Sequence, residues 1–409
     1  MSGVLQTADG TPRSSPLPAW LRLTAFVLAG AAQALAIAWP WGGQPLPWLQ
    51  VLSLMALVWL LDDLRAARAT WLRAAGHGWA FGTAWLVGSF WWLFISMNTY
   101  GGLAAPLAAI AVLALAAALA LYYAVAAAIF VRFSPESPLR AAFFFAALWT
   151  VAELVRGSWF TGFPWGAGGY AHVDGLFAGY APWLGVYGTG AAAALFAAVV
   201  VLGWRRRRVS ATVGAGRAPW AVVLVGVAVL VLPLAGRGWL DRDARFQSAG
   251  TLQVALLQGN IPQDEKFIPG SGVTTALRWY GEQLRDARAP LVVTPETAIP
   301  LLPRQLPPGY LDALVQRYGA GAGGGGGVEG RVQAALIGIP YEDARGVYSN
   351  TVLAFAPGQT QPYRYNKHHL VPFGEFIPWG FRWFTELMNI PLGDFRRGGL
   401  AQPGFDWQG

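Results

Sequence analysis

The chain has 409 residues, 55% of them hydrophobic and only 12% charged, and its mean hydropathy is positive. Soluble globular domains carry about 25% charged residues, so this composition excludes an ordinary water-soluble protein. The net charge of +8 comes largely from arginines gathered between apolar runs, which argues against a nucleic-acid surface, and the lack of any cysteine excludes disulfides and thiolate metal sites within the chain.

The first 20 residues have no apolar core of the kind a cleavable signal peptide needs, and read as a cytoplasmic tail. A spanning helix takes about 20 apolar residues. Seven stretches are candidates: 21–39, 47–61, 79–96, 103–131, 141–155, 183–203 and 220–234, the second and fifth being short. Charge tests the count. Arg65, Arg68 and Arg73, then Arg132 and Arg140, then Arg205 to Arg208 with Arg217, fall in alternate connections, whereas 40–46, 97–102 and 156–182 offer only Arg156. Such alternation follows the positive-inside rule. It predicts a transmembrane helical domain over 21–236, a cytoplasmic N-terminus, and an outer-face location for everything after Gly236.

The connection 156–182 is rich in Trp, Phe, Tyr and Gly. It reads either as an interfacial aromatic belt or as a floor that guides lipid beneath the outer domain. Glu153 and Arg156, three apart at the outer end of the fifth stretch, suit one helix face. An interfacial ion pair is the favoured reading, although charge near a bilayer is costly and often functional.

From about Ser248 the pattern changes to that of a water-facing domain, 248–409. Residues 252–258, 290–296 and 332–340 read as buried strands, 271–288 and 308–318 as helices, and 350–357 with 362–367 as a hairpin. Strands alternating with helices predict an α/β sheet layered by helix. Sites in open sheets of this kind lie at the carboxyl ends of strands, where Glu296 and Lys367 both fall. The glycine-rich run 319–330 lacks the GK[ST] sequel of a phosphate loop and reads as a surface loop or insertion.

Three charged residues are candidates for catalysis. Glu296 follows Pro295 at a strand end, where a solvated loop carboxylate is the plainer reading. Lys367, taken alone, is ordinarily a surface charge. Glu375 stands between Phe373 and Phe376, and desolvation there is expected to raise its pKa toward the range useful for proton transfer. His368 and His369 are adjacent and so face opposite ways on a strand; joint metal coordination is not expected and a structural role is. Phe267, Trp279, Trp379 and Trp383 either pack acyl chains or, as favoured, dock the domain on the bilayer.

QGNIPQ (258–263), PET (295–297) and NKHHLVPFGEFIP (366–378) together resemble the nitrilase, or carbon–nitrogen hydrolase, superfamily. The seven preceding spans, with GFPWG at 162–166, narrow the resemblance to its apolipoprotein N-acyltransferase family. KHHLVPFGE is the specific element. The implied fold is a multi-span α-helical membrane domain of about seven helices followed by an α/β nitrilase-like domain, an α-β-β-α sandwich. The resemblance implies Glu296 as general base, Lys367 as oxyanion stabiliser and Glu375 as supporting glutamate. It further implies ping-pong transfer of an acyl chain from phospholipid to the N-terminal amine of a diacylated apolipoprotein, on the periplasmic side of a bacterial inner membrane. No metal, organic cofactor or nucleic acid is indicated. The family nucleophile is a cysteine beyond the lysine, followed by one more span; neither is present. A C-terminally truncated and inactive chain is therefore expected. The alternatives are a membrane-tethered nitrilase-type amidase and a non-catalytic lipid-binding scaffold.

Overall fold

The computed structural model describes residues 18–212, 220–240, 248, 250–319, 333–343, 346–372, 374–377, 380, 382 and 395–407. Expectations about residues 1–17, about most of the glycine-rich run, and about Phe373, Trp379 and Trp383 fall outside them. The chain divides into two compact units, Met1–Thr99 with Leu103–Gln247, and Ser248–Gly409 with Tyr100–Gly102.

The first unit is helical: α1 (Ala19–Ile37), α2 (Pro47–Ala66), α3 (Trp71–Phe90), α4 (Trp92–Ile95), α5 (Ala105–Leu119), α6 (Leu121–Phe133), α7 (Pro138–Ser158), α8 (Ala181–Thr212) and α9 (Trp220–Leu240). Proline opens α2, α5 and α7, at the turn where its missing N–H costs nothing. Thr70 caps α3 by accepting the Arg73 N–H at 3.3 Å, so this helix starts before the apolar stretch that marks it in the sequence. Gly78 and Gly82 on α3 lie against Ala127 and Ala120, where a Cβ on Gly78 would collide with the Ala127 side chain. Small residues at this spacing let helix backbones approach closely. Stacked on the same core are Trp85 and Trp149, with ring centroids 5.3 Å apart.

Among the described residues, five helices are long and apolar enough to cross a membrane. A sixth is formed if α3 is joined with the segment Trp92–Tyr100, bent from it by 51°. The fourth predicted stretch is one span, Ala105–Phe133, made of α5 and α6. The seventh falls on α9, whose apolar part, Trp220–Leu234, is shorter than the others.

Two expectations about charge need correction. Arg73 lies in the first turn of α3, and Arg205 to Arg208 lie in the last turns of α8, rather than in loops. Arg205 folds back onto α2, 2.9 Å from Asp62 and 2.5 Å from Asp63, and stacks on Trp59. Helix can continue past the apolar stretch here because its first arginine finds carboxylate partners on the neighbouring helix.

The pair Glu153–Arg156 is buried within the helical unit rather than exposed on a helix surface. It forms at 3.2 Å with both side chains fully buried. Arg156 also donates to the Tyr123 hydroxyl at 2.9 Å and to the carbonyls of Phe163 and Trp165 at 2.6 and 2.8 Å. Glu153 accepts from the Gly168 N–H at 2.9 Å and from Tyr123. Four hydrogen bonds from the fixed guanidinium fork, two of them to the GFPWG turn, thus tie that turn to the end of α7, which is why burial is tolerated.

The second unit holds a five-stranded mixed sheet in the order β1 (Val254–Leu256), β2 (Leu291–Val293), β3 (Ala334–Glu342), β4 (Tyr348–Phe355), β5 (Tyr363–Asn366). The first three strands are parallel; β3, β4 and β5 run antiparallel in turn. Two helices, α10 (Gly272–Asp286) and α11 (Tyr310–Tyr318), provide the connections between parallel strands. Val273, Ala276, Tyr280 and Leu284 form the buried stripe of α10, at the spacing of one helix face. Of these, Ala276, Tyr280 and Leu284 pack with Val292, Ala335, Ile337 and Ile339 of the sheet. All five predicted strand segments and both helices are present; the four-layer sandwich implied by the resemblance would need a second sheet against this one.

The buried ion pair generates a prediction. Arg156→Met leaves Glu153 as an uncompensated buried charge, and breaking such a pair costs about 3–5 kcal/mol. The apparent unfolding midpoint in detergent should fall sharply for Arg156→Met and recover in part for Glu153→Gln/Arg156→Met. Equal midpoints for wild type and Arg156→Met would refute the anchoring role.

Candidate active site

The order of the strands gathers the candidate groups on one sheet edge. Glu296 lies three residues past β2, Lys367 directly follows β5, and Asn350 lies near the start of antiparallel β4, opposite Pro340 of β3. The Lys367 N–H donates to the Asn350 carbonyl at 2.8 Å, which extends the β4–β5 ladder to the lysine. On the other side, the turn that carries Glu296 is fastened to β3. Thr294 N–H donates to Leu336 O at 3.0 Å, the Gly338 N–H to the Thr294 hydroxyl at 3.1 Å, and Ile299 N–H to Gly338 O at 3.2 Å. Glycine is required at 338, because a Cβ there would overlap the Pro295 carbonyl and crowd Glu296 Cα.

These constraints bring the three predicted residues together. The Lys367 ammonium stands 3.2 Å from Glu296 Oε1 and 3.0 Å from the Glu375 carboxylate. Asn350 joins them: its amide nitrogen donates to Glu375 Oε1 at 2.6 Å and also to Glu296 Oε1. The second Glu375 oxygen accepts the Val371 N–H at 2.8 Å. One cation and one amide are therefore shared between two carboxylates. Exposure separates their roles: the Glu296 side chain is 58% exposed and that of Glu375 only 10%.

The expected upward shift at Glu375 is overturned. Burial does push its pKa up and is the largest single influence. Hydrogen bonds from Asn350, the Val371 N–H and Lys367 together outweigh it, and the carboxyl sits below its ordinary range. Lys367 behaves in the opposite sense: burial pulls it down, but the two carboxylates raise it above the ordinary lysine value. Glu375 is thus a fixed anion that holds a fixed cation, while the open carboxylate is that of Glu296. Such a set can accept a proton at Glu296 and offer an ammonium donor to a developing oxyanion.

His368 and His369 follow β5 in a bend rather than lying on a strand. His368 Nδ1 is 2.7 Å from the Gly398 carbonyl, a tie between chain segments, and among the described residues no cluster suits a metal ion. Trp279 packs against the sheet core and Phe267 is 57% exposed.

Beside Glu296 opens a cavity of about 410 Å³ at the ends of β1 and β2, lined by Gln258, Asn260, Lys266, Tyr280 and Thr297 among others. Asn260 and Thr297 both have positive φ, +48° and +52°. For a β-branched residue this is an outlier, and such strain gathers at functional sites. Sequence reasoning missed Asn350, which carries no motif signal of its own. It also missed Lys266, for which composition held a clue: of 29 basic residues only two are lysines, Lys266 and Lys367.

Residues 29–199 match the family model of the apolipoprotein N-acyltransferase N-terminal domain. The chain is 52% identical over 402 residues to the apolipoprotein N-acyltransferase of Verminephrobacter eiseniae, covering 97% of this chain and 72% of that one. It is 42% identical over 362 residues to the Ralstonia nicotianae protein of the same name, covering 87% of this chain and 63% of the relative. Against the Pseudomonas putida protein of that name it is 34% identical over 398 residues, 94% of this chain and 72% of the relative.

The shifted groups set a pH dependence. Glu375, held low, contributes stability that is present above the ordinary carboxyl range and is lost as pH falls through its lowered pKa. Lys367, held high, contributes stability that is present below the ordinary lysine range and is lost as pH rises through its raised pKa. Unfolding of the intact chain followed across acid pH should lose part of its slope in Glu375→Gln. Identical slopes for the two proteins would show that the carboxyl is not held low.

Proposed function

The chain belongs to the apolipoprotein N-acyltransferase family, and we propose that its second unit carries the charged half of an acyl-transfer site. The observation that carries this reading is the convergence of Glu296 and Lys367, 3.2 Å apart and fixed from behind by Glu375 and Asn350. The donor is a phospholipid, and the acceptor is the α-amine of a diacylglyceryl-cysteine at the N-terminus of an apolipoprotein. The first unit holds the chain in the inner membrane, with the second unit on the periplasmic face. The arginine alternation supports this orientation.

Glu296 takes the proton of a thiol, and the thiolate attacks the ester carbonyl carbon of the phospholipid. Negative charge moves onto the carbonyl oxygen, where Lys367 donates a hydrogen bond; preorganised donors of this kind are each worth about 3–4 kcal/mol. The tetrahedral species collapses, the C–O bond breaks, and the lysophospholipid oxygen leaves with the proton held by Glu296. A thioester remains. The acceptor amine then attacks it, the C–S bond breaks, an amide forms, and the amine proton passes to Glu296. This is covalent catalysis in two half-reactions. The 409 residues include no cysteine, so the thiol in this scheme is one that they do not supply.

Acyl transfer from labelled phospholipid to a diacylglyceryl-cysteine peptide tests the reading. A protein that joins these residues to a segment supplying a cysteine thiol should form an acyl-thioester and transfer the chain. Its Glu296→Gln variant should form thioester at least about a hundredfold more slowly, the scale of general-base catalysis, with membrane insertion unchanged. Residues 1–409 alone should form none. Turnover by residues 1–409, or an undiminished Glu296→Gln variant, would overturn the reading, and hydrolysis of amides without transfer would favour an amidase.

A further inference from the structure

Both lysines of the chain touch Glu296. Lys367 meets its carboxylate; Lys266 meets its backbone carbonyl, at 3.3 Å. Their surroundings differ in one respect. Lys367 is neutralised by two carboxylates. Among the described residues Lys266 has no carboxylate at hydrogen-bond distance, and it stands beside the Phe267 ring, 5.8 Å from its centroid. Lys266 is half-buried on the cavity wall; burial pulls its pKa down, and the nearby charge of Glu296 offsets this only in part. An ammonium carries three donors and no acceptor. Here one is engaged by a neutral carbonyl, leaving donors that make no hydrogen bond to a carboxylate among the described residues. A half-buried cation whose counter-charge does not offset its burial is costly, and an incoming anion would reduce that cost.

We propose that Lys266 and the cavity beside Glu296 form a headgroup site that receives the phosphodiester anion of the acyl donor. The proposal rests on the phospholipid-donor reading given above and names where that donor is held. The cavity wall suits an amphipathic ligand. Gln258, Asn260, Gln263 and Thr297 are polar neighbours of the lysine, while Leu256, Leu257 and Ile261 offer apolar surface. The geometry is also economical. Lys266 is bonded to the main chain of the residue whose side chain is the base. In a phospholipid, a glycerol unit separates the phosphodiester from the scissile ester. A phosphodiester anchored on Lys266 therefore leaves its ester within reach of the Glu296 and Lys367 side chains. Of the two substrates proposed, only the donor bears a phosphate, so the site discriminates donor from acceptor.

The test is binding of short-chain phosphatidylglycerol to the intact chain in detergent, with short-chain diacylglycerol as the uncharged control and inorganic phosphate as competitor. Lys266→Gln should weaken phosphatidylglycerol binding about tenfold or more, the scale of a charged hydrogen bond, and leave diacylglycerol binding unchanged. Lys266→Arg should retain most of the phospholipid affinity, and Glu296→Gln should retain it too. Unchanged phosphatidylglycerol binding by Lys266→Gln would overturn the proposal. So would loss of both lipids alike with no rescue by arginine, since charge would then not be what is read. Displacement of the phospholipid by an equal concentration of inorganic phosphate would overturn the lipid assignment. Because binding is read without turnover, failure here leaves the acyl-transfer reading standing, and failure of acyl transfer leaves this result interpretable.

Discussion

One ammonium shared between two carboxylates organises the candidate site. Lys367 lies within 3.2 Å of Glu296 and 3.0 Å of Glu375. Two carboxylates this near one another repel unless a cation stands between them, so the lysine is what allows the acids to converge. Asn350 adds a neutral donor to both. The result is an asymmetric trio: a buried acid held ionised by its hydrogen bonds, a cation held charged by both acids, and an open acid facing the cavity. The buried acid fixes the position of the cation and leaves the exposed acid as the carboxylate open to the cavity.

The sheet delivers those groups to one edge. Parallel β1, β2 and β3 point their carboxyl ends the same way, and the antiparallel hairpin returns Asn350 and Lys367 to that edge. Gly338 lets the Glu296 turn sit directly on β3. The same logic of charge supported by backbone recurs in the helical unit, where Arg156 is buried because Glu153, Tyr123 and two carbonyls occupy its donors.

Much of this is legible in the sequence, for identifiable reasons. Long apolar runs and arginine alternation are coarse signals that survive errors in boundaries, so the helical stretches stand out although α3 starts earlier and α8 runs later than hydropathy suggests. Apolar runs bounded by Gly and Pro mark the strands. Glu296, Lys367 and Glu375 are visible through their motifs. What the sequence does not carry is long-range geometry. Asn350 matters because of residues 54 and 25 positions away, and no local pattern marks it. The direction of the Glu375 shift is misread from sequence because flanking aromatics are visible there, while the donors from Asn350 and Val371 are not. Burial of Glu153 and Arg156 depends on carbonyls seven and nine residues beyond the arginine.

The proposed chemistry requires Glu296 and Lys367 to act as one unit, and a double-mutant cycle on the rate of thioester formation, with these residues joined to a segment supplying a cysteine thiol, tests this most directly. The variants are Glu296→Gln, Lys367→Met and the combination. Groups that act together lose their effect non-additively. The double variant should be scarcely slower than the worse single variant. Losses that multiply, as for two independent sites, would contradict the coupling.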